Sequence, residues 1–293
     1  MTEYALIRHL FGDAVPELFT SDAQFFEVGG ETWGITCDTF SPEEDLFSAD
    51  DPRRFGVNAV RGTLSDLAAS GCVPALFLQA VTFPRGASDP WLAAFAEGVK
   101  AALADAGCRL LGGDMGEGAG LVYTGIALGP RRRPLSRILP DTPQRLWTTG
   151  PFGAFNVAAL AGAPAPEIPR REPPPAATAC IDTSGGFADA LWQLHQLNPR
   201  HDFRLGTIPV APPGNPALLF GGAGEYELLF TTPLDAPAPD GALAIGTVMP
   251  GSGTVDWAGR LFDAPPPDPR AFASRPAYIE AVIRASAPFG GHP

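Results

Sequence analysis

The chain carries 34 glycines and 33 prolines, and most of the prolines gather at four joints, residues 164–175, 209–216, 233–239 and 264–269. Proline lacks an amide hydrogen and breaks helices and central strands, so these clusters read as linkers between short ordered elements. In the first half, residues 33–37 form a strand pattern, and residues 52–71 place Val57, Val60, Leu64 and Leu67 on one helical face that ends at a glycine suited to a C-terminal cap. An apolar run at 73–83 reads as a buried strand. Ser88 is a good N-cap for a helix carrying Trp91, Leu92, Phe95, Val99 and Leu103 until Gly107 stops it. Strand candidates follow at 108–111 and 121–128. The turn-rich stretch 129–144 places a domain boundary near residue 135. The second half repeats the mixture: strands at 145–149, 178–181, 225–231 and 242–248, with helices at 153–161, 186–197 and 274–287. The expectation is two α+β lobes, residues 1–135 and 136–293.

At 293 residues and 45% apolar content, two such lobes have enough material for real cores. Thirty-two acids against 20 bases give a net charge of −12, which repels nucleic acid and anionic membrane as main partners. Cys37, Cys72, Cys108 and Cys180 form no C-x-x-C pair and no disulfide scaffold, and a reducing, cytoplasmic compartment is expected. The first residues lack a secretory pattern and no run of 18 apolar residues occurs. The single lysine, Lys100, lies in a helical pattern, which excludes the P-loop signature. His9, His195, His201 and His292 are scattered, against a zinc site. Thr183-Ser184-Gly185 is no nucleophile elbow, because Asp182 stands two before the serine.

The informative residues are aspartates that stand beside glycines or close apolar strands. Asp38 closes WGITCD, Asp114 follows CRLLGG and Asp182 follows TACI, while Asp22 sits in FTSDAQFF and Asp66 in TLSDLAASG. A buried carboxylate is costly unless a cation neutralises it, and hard oxygen donors from several segments suit Mg²⁺ with bound phosphates. Any one of these alone reads more readily as a turn residue or helix cap, and it is the set of five in such contexts that favours ligands.

The motifs SDLAASG (65–71), LLGGDMGEG (110–118), IDTSGGF (181–187) and GGAGEYELLF (221–230) resemble, in order and separation, those of the thiamine-monophosphate kinases. These belong to the aminoimidazole-ribonucleotide-synthetase-like (PurM-like) superfamily, where the stretches read roughly SDLAAMG, GGDTTRG, IDLSDGL and SGGEDYEL. The resemblance covers about residues 5–260. It implies a PurM-like α+β fold and a homodimer whose N-terminal lobes form a shared β-barrel, with a C-terminal α/β lobe. It implies ATP and Mg²⁺ as cofactors and phosphoryl transfer to a small metabolite in cofactor biosynthesis. Asp22, Asp38, Asp66, Asp114 and Asp182 match metal positions, and Ser184, Arg137 and Gly113 match nucleotide-binding ones. Arg137 reads equally as a solvated linker arginine beside Arg131, Arg132 and Arg133.

Departures fall mainly on the acceptor side. The second aspartate of DLSDG is here Gly185, the glutamate of GGEDYEL is Gly224, and the loop histidine after TDT is replaced by Asp45 and Leu46. Asp45, Glu225 and Glu43 are the candidates to replace lost contacts, with Asp45 and Glu225 toward substrate. Alternation points Glu225 and Glu227 to one face, as ligand contacts or as an exposed edge pair. The expected acceptor is one other than thiamine phosphate. An ATP-dependent synthetase or cyclase, and a degenerate nucleotide-binding homologue without kinase activity, stand as alternatives.

Overall fold

The computed structural model of the chain describes residues 9, 10, 19–42, 45 and 50–291; Glu43, Leu46 and His292 lie outside them. The chain divides into two compact units. The N-terminal unit comprises Asp22–Leu135 with Ala158–Glu172, and the C-terminal unit comprises Met1–Ser21, Ser136–Val157 and Pro173–Pro293.

The N-terminal unit is built on a five-stranded sheet ordered β1-β2-β5-β3-β4. Its strands are β1 (Gln24–Val28), β2 (Glu31–Phe40), β3 (Leu76–Pro84), β4 (Arg109–Gly118) and β5 (Val122–Pro130). Gly29 and Gly30, both at positive φ, close the two-residue β1–β2 hairpin that sequence periodicity had not signalled. Helices α1 (Pro52–Ala69) and α2 (Asp89–Asp105) cover one face. The predicted apolar face of α1 is buried, with Val57, Val60, Leu64 and Leu67 all at most 8% exposed. The amides of Gly71 and Cys72 bond the carbonyls of Ala68 and Leu67, so Gly71, at φ 73°, closes α1 with a Schellman cap. The helices touch backbone to backbone: a Cβ on Gly98 would fall 1.9 Å from the Arg53 carbonyl oxygen.

The segment after α3 (Ala154–Ala161) returns to this unit. Buried Asn58 on α1 reads it like a strand edge, its Nδ2 donating to the Pro166 carbonyl at 2.9 Å and its Oδ1 accepting from Ile168 N–H at 2.8 Å. Arg61 adds a bond to the Ile168 carbonyl.

The C-terminal unit holds a seven-stranded sheet ordered β12-β11-β8-β10-β6-β9-β7. Its strands are β6 (Gln144–Thr148), β7 (Ala179–Asp182), β8 (His201–Leu205), β9 (Leu228–Pro233), β10 (Leu243–Pro250), β11 (Val255–Trp257) and β12 (Arg260–Leu261). Helix α4 (Phe187–Leu197) buries Phe187, Leu191 and Leu194 in the core. Helix α5 (Arg275–Ser286), capped by Ser274, contributes Val282 to the same core. The architecture is the mixed α+β one expected, and each sheet is open among the described residues. No helix of the described residues is long and apolar enough to cross a membrane.

Two strand assignments differ from the sequence reading. Strand β4 runs on through the glycines to Gly118, so Asp114 lies within a strand rather than after one. The glycines allow this because a parallel neighbour lies close: a Cβ on Gly113 would sit 1.8 Å from the Gln79 carbonyl oxygen. Strand β9 begins at Leu228, because Tyr226 adopts φ +54°, incompatible with a continuous ladder.

Candidate functional site

In the N-terminal unit, the entry to β1 is tied to the end of α1 by the Ala23 amide, which donates to the Ser70 hydroxyl at 2.9 Å. That bond sets Asp22 beside Asp66 of α1, with a carboxylate oxygen of each within 4.8 Å of the other. Asp66 Oδ2 also accepts from the Thr36 hydroxyl at 2.5 Å. Thr36 lies two residues before Asp38 on β2, so strand alternation turns half-buried Asp38 to the same, helix-covered face of the sheet. Two close carboxylates with a third on the same face form an all-oxygen donor set, which fits a hard divalent cation such as Mg²⁺.

Asp114 is placed differently. It pairs with exposed Ala80, whereas its neighbour Gly113 pairs with buried Gln79, so Asp114 projects from the face of the sheet away from α1. Gly113 has a steric role, admitting the backbone of β3. Asp45 is engaged in its own loop, where its Oδ2 accepts from the Ser41 amide at 2.7 Å.

In the C-terminal unit, the third and fourth motifs, distant in sequence, form one surface. Strand β7 ends at Asp182, which is 3% exposed, and its Oδ1 accepts from the amide and hydroxyl of Ser184 at 3.3 and 2.9 Å. The Glu225 amide donates to the Thr183 carbonyl, and the Thr183 hydroxyl to the Glu227 carbonyl. Glycine is needed where the two loops meet: a Cβ on Gly224 would fall 2.4 Å from the Ser184 carbonyl oxygen, and one on Gly186 2.5 Å from that of Gly221. Ser184 itself is exposed on this surface.

Arg137 is anchored. Its amide donates to the Thr20 carbonyl, its carbonyl accepts from Asn198 Nδ2, and its Nη1 donates to Gln193 Oε1 at 3.0 Å. This excludes the solvated-linker alternative.

The two glutamates do not share an exposed face. The turn at Tyr226 breaks the alternation, and both are at most 5% exposed. Glu225 accepts from the amides of Phe155 and Asn156 at the start of α3 and from Asn156 Nδ2, while Glu227 accepts from the Thr149 hydroxyl at 2.6 Å. Burial pushes the Glu225 carboxyl above its ordinary value, against the pull of those amides. None of the four cysteines, all of them described, is in a disulfide; burial raises the Cys72 and Cys108 thiols to about 11. His195 and His201 bond the carbonyls of Gly253 and Pro140 and join no metal cluster among the described residues.

Sequence patterns missed Thr36, Ser70, Asp189 and Gln193. The first was signalled only by its two-residue offset from Asp38, and the last two by their four-residue spacing on one helix.

The chain is similar to known proteins over most of its length. Residues 20–130 match the family model for AIR synthase related protein, N-terminal domain. The thiamine-monophosphate kinase of Archaeoglobus fulgidus is 27% identical over 290 residues, covering 90% of this chain and 95% of its own length. Among solved structures, AaThiL complexed with AMPPCP and TMP superposes with a TM-score of 0.76 at 20% identity, covering 90% of this chain and 95% of that one. Hydrogenase maturation protein HypE in complex with ATP superposes with a TM-score of 0.66 at 18% identity, covering 93% and 97%. The fold is thus the PurM-like α+β fold of AIR-synthase-related proteins. Over most of its length the chain is similar in sequence to thiamine-monophosphate kinases.

Proposed function

We propose that the protein is an ATP- and Mg²⁺-dependent kinase that phosphorylates a small phosphorylated metabolite. The observation that carries the reading is the Asp22–Asp66 pair, two carboxylates within 4.8 Å, in the segment matching the AIR-synthase-related family. Asp22, Asp66 and Asp182 are assigned to metal, with Asp38 assisting from the same sheet face as Thr36. Magnesium, when bound, supplies positive charge against the phosphate oxygens of ATP. Thr36 holds the Asp66 carboxylate and Ser70 fixes the backbone next to Asp22, which lowers the entropy lost on binding. Arg137, a planar fork of N–H donors, is assigned to the phosphates, and exposed Ser184 to the nucleotide.

Asp114, across the sheet, is assigned to metal only through a second copy of the chain. Strand β4 is an edge strand exposed along almost its whole length, with Leu111 and Met115 at 47 and 67% exposure. Such an edge favours pairing with another strand, which supports a homodimer through β4. Sedimentation of the wild type should give a dimer.

On the acceptor, two observations pull apart. The relatives that match most of the chain carry the name thiamine-monophosphate kinase. Gly224 stands where that family has the glutamate that contacts its acceptor and is held as glycine by the Ser184 carbonyl, 2.4 Å from any Cβ there, while Gly185 stands where the family has a metal-binding aspartate close to the reacting phosphate. We assign the acceptor to a phosphate monoester other than thiamine phosphate. The test is turnover of Mg·ATP with thiamine monophosphate and a panel of phosphate monoesters, with product analysis. Phosphate retained on the acceptor supports a kinase, and free phosphate with ring closure or ligation overturns it in favour of a synthetase. Efficient turnover of thiamine monophosphate would overturn the acceptor assignment alone. ATP binding without turnover on any acceptor would mark a nucleotide-binding homologue.

A further inference from the structure

Gly185 is the most conspicuous gap in the DTSGG loop, and its volume is filled. An ideal Cβ at position 185 would lie 2.4 Å from Asp189 Oδ2 and 3.0 Å from its Cγ, so the carboxylate of Asp189 occupies the space where a side chain at 185 would begin. Asp189 stands in the first turn of α4, beyond Gly186 at the N-cap, where a negative charge is favoured.

From there a chain of hydrogen bonds leads to the arginine. Asp189 Oδ2 accepts from Gln193 Nε2 at 2.6 Å, one helical turn on, and Gln193 Oε1 accepts from Arg137 Nη1 at 3.0 Å. A carboxylate can only accept and a guanidinium can only donate. The glutamine amide therefore satisfies both neighbours in a single orientation. The Arg137 backbone is fixed separately, by Thr20 and Asn198.

We propose that Asp189 and Gln193 are positioning residues that hold the Arg137 guanidinium for the nucleotide phosphates, and that position 185 is glycine because any side chain there would evict Asp189. The carboxylate absent at 185 has in effect moved four residues along the chain, into α4, where it acts on the arginine through Gln193. This deepens the kinase reading and rests on its assignment of Arg137 to phosphate.

The test measures ATP binding in the presence of Mg²⁺ by calorimetry, together with steady-state kinetics, for the wild type, Arg137→Ala, Gln193→Leu, Asp189→Ala and Gly185→Ala. Losing a hydrogen bond to a charged group should weaken ATP binding and raise the KM for ATP roughly tenfold in each of the last three, with kcat changed much less. Asp189→Asn, which keeps an acceptor for Gln193, should recover most of the affinity and also covers the case in which the alanine variant fails to fold. A purely structural role would lower thermal stability without this split between KM and kcat. If Gln193→Leu and Gly185→Ala bind ATP like the wild type while Arg137→Ala does not, the positioning inference is wrong and the kinase reading stands. If Arg137→Ala binds ATP normally, the assignment of Arg137 to phosphate and the positioning inference fall while the carboxylate site stands; if the wild type binds no ATP, the kinase reading falls with them.

Discussion

Replacing Asp66 by asparagine should trade metal binding for stability. Asp22 and Asp66 each present an oxygen within 4.8 Å of the other. Two unit charges at that distance repel by about 1 kcal/mol at the dielectric of water and about 3.5 kcal/mol at an effective value near 20. Both side chains are partly solvated and the Thr36 hydroxyl already donates to Asp66, so the lower figure applies. Asparagine keeps an acceptor for Thr36 and removes the repulsion. In EDTA, Asp66→Asn should therefore be about 1 kcal/mol more stable than the wild type, a rise in Tm of roughly 2–4 °C for a chain of this size. Saturating Mg²⁺ should reverse the order, because a ligand at about a hundred times its Kd stabilises only the protein that binds it, by about 2.7 kcal/mol. Thermal melts of both proteins with EDTA and across a Mg²⁺ titration give the four values needed. A variant less stable than the wild type in EDTA, or one with an undiminished Mg²⁺ response, would refute the pairing of these carboxylates as a cation site. Asp114→Asn in a monomeric preparation provides the contrast, since its side chain leaves the opposite face of the sheet and should not alter the response.

Three further outcomes follow from burial and close packing. Because the folded pKa of Glu225 is raised above its ordinary 4.5, its contribution to stability is full below that value and is lost as pH rises through the folded pKa. Glu225→Gln should therefore gain stability relative to the wild type between acid and neutral pH, and a gain in the opposite direction in denaturant titrations would mean that the α3 amides outweigh burial. Asn58→Ala removes two buried hydrogen bonds to the 166–168 segment and should cost roughly 2–4 kcal/mol in chemical denaturation; a loss below about 1 kcal/mol would show that the segment holds without it. Gly98→Ala sets a methyl 1.9 Å from the Arg53 carbonyl, a backbone atom that cannot swing aside, and should destabilise by about 1–3 kcal/mol, with an unchanged Tm counting against the close helix contact.

The helices were legible because their stops are local. Ser88 caps α2 with its side chain, and Gly71 and Gly107 take the left-handed turns that end α1 and α2. The short strands β1, β8, β11 and β12 lack enough alternation to stand out, and they exist because neighbouring strands supply their partners. Among the site residues, Asp22 and Asp66 were legible through the resemblance of their motifs, but which face a strand residue takes depends on register. Asp114 illustrates this, since no composition rule fixes its pairing with Ala80. Glu225 and Glu227 show the same limit: a single positive φ at Tyr226 undoes an argument from alternation. The Asp189–Gln193–Arg137 chain spans 56 positions between its last two members and could be seen only once α4 lay beside the residues entering β6.

Leu111 has no partner in the register of β4 against β3: Phe77 pairs with Leu110, and Leu78 already with Gly112. This supernumerary residue resets the parity of everything downstream of it, because side chains in a strand alternate with a period of two. Excising it would splice Leu110–Phe77 directly onto Gly112–Leu78 as a regular ladder, so the edge strand would lose its kink while Asp114 kept its place opposite Ala80 and Gly113 its place against the Gln79 carbonyl.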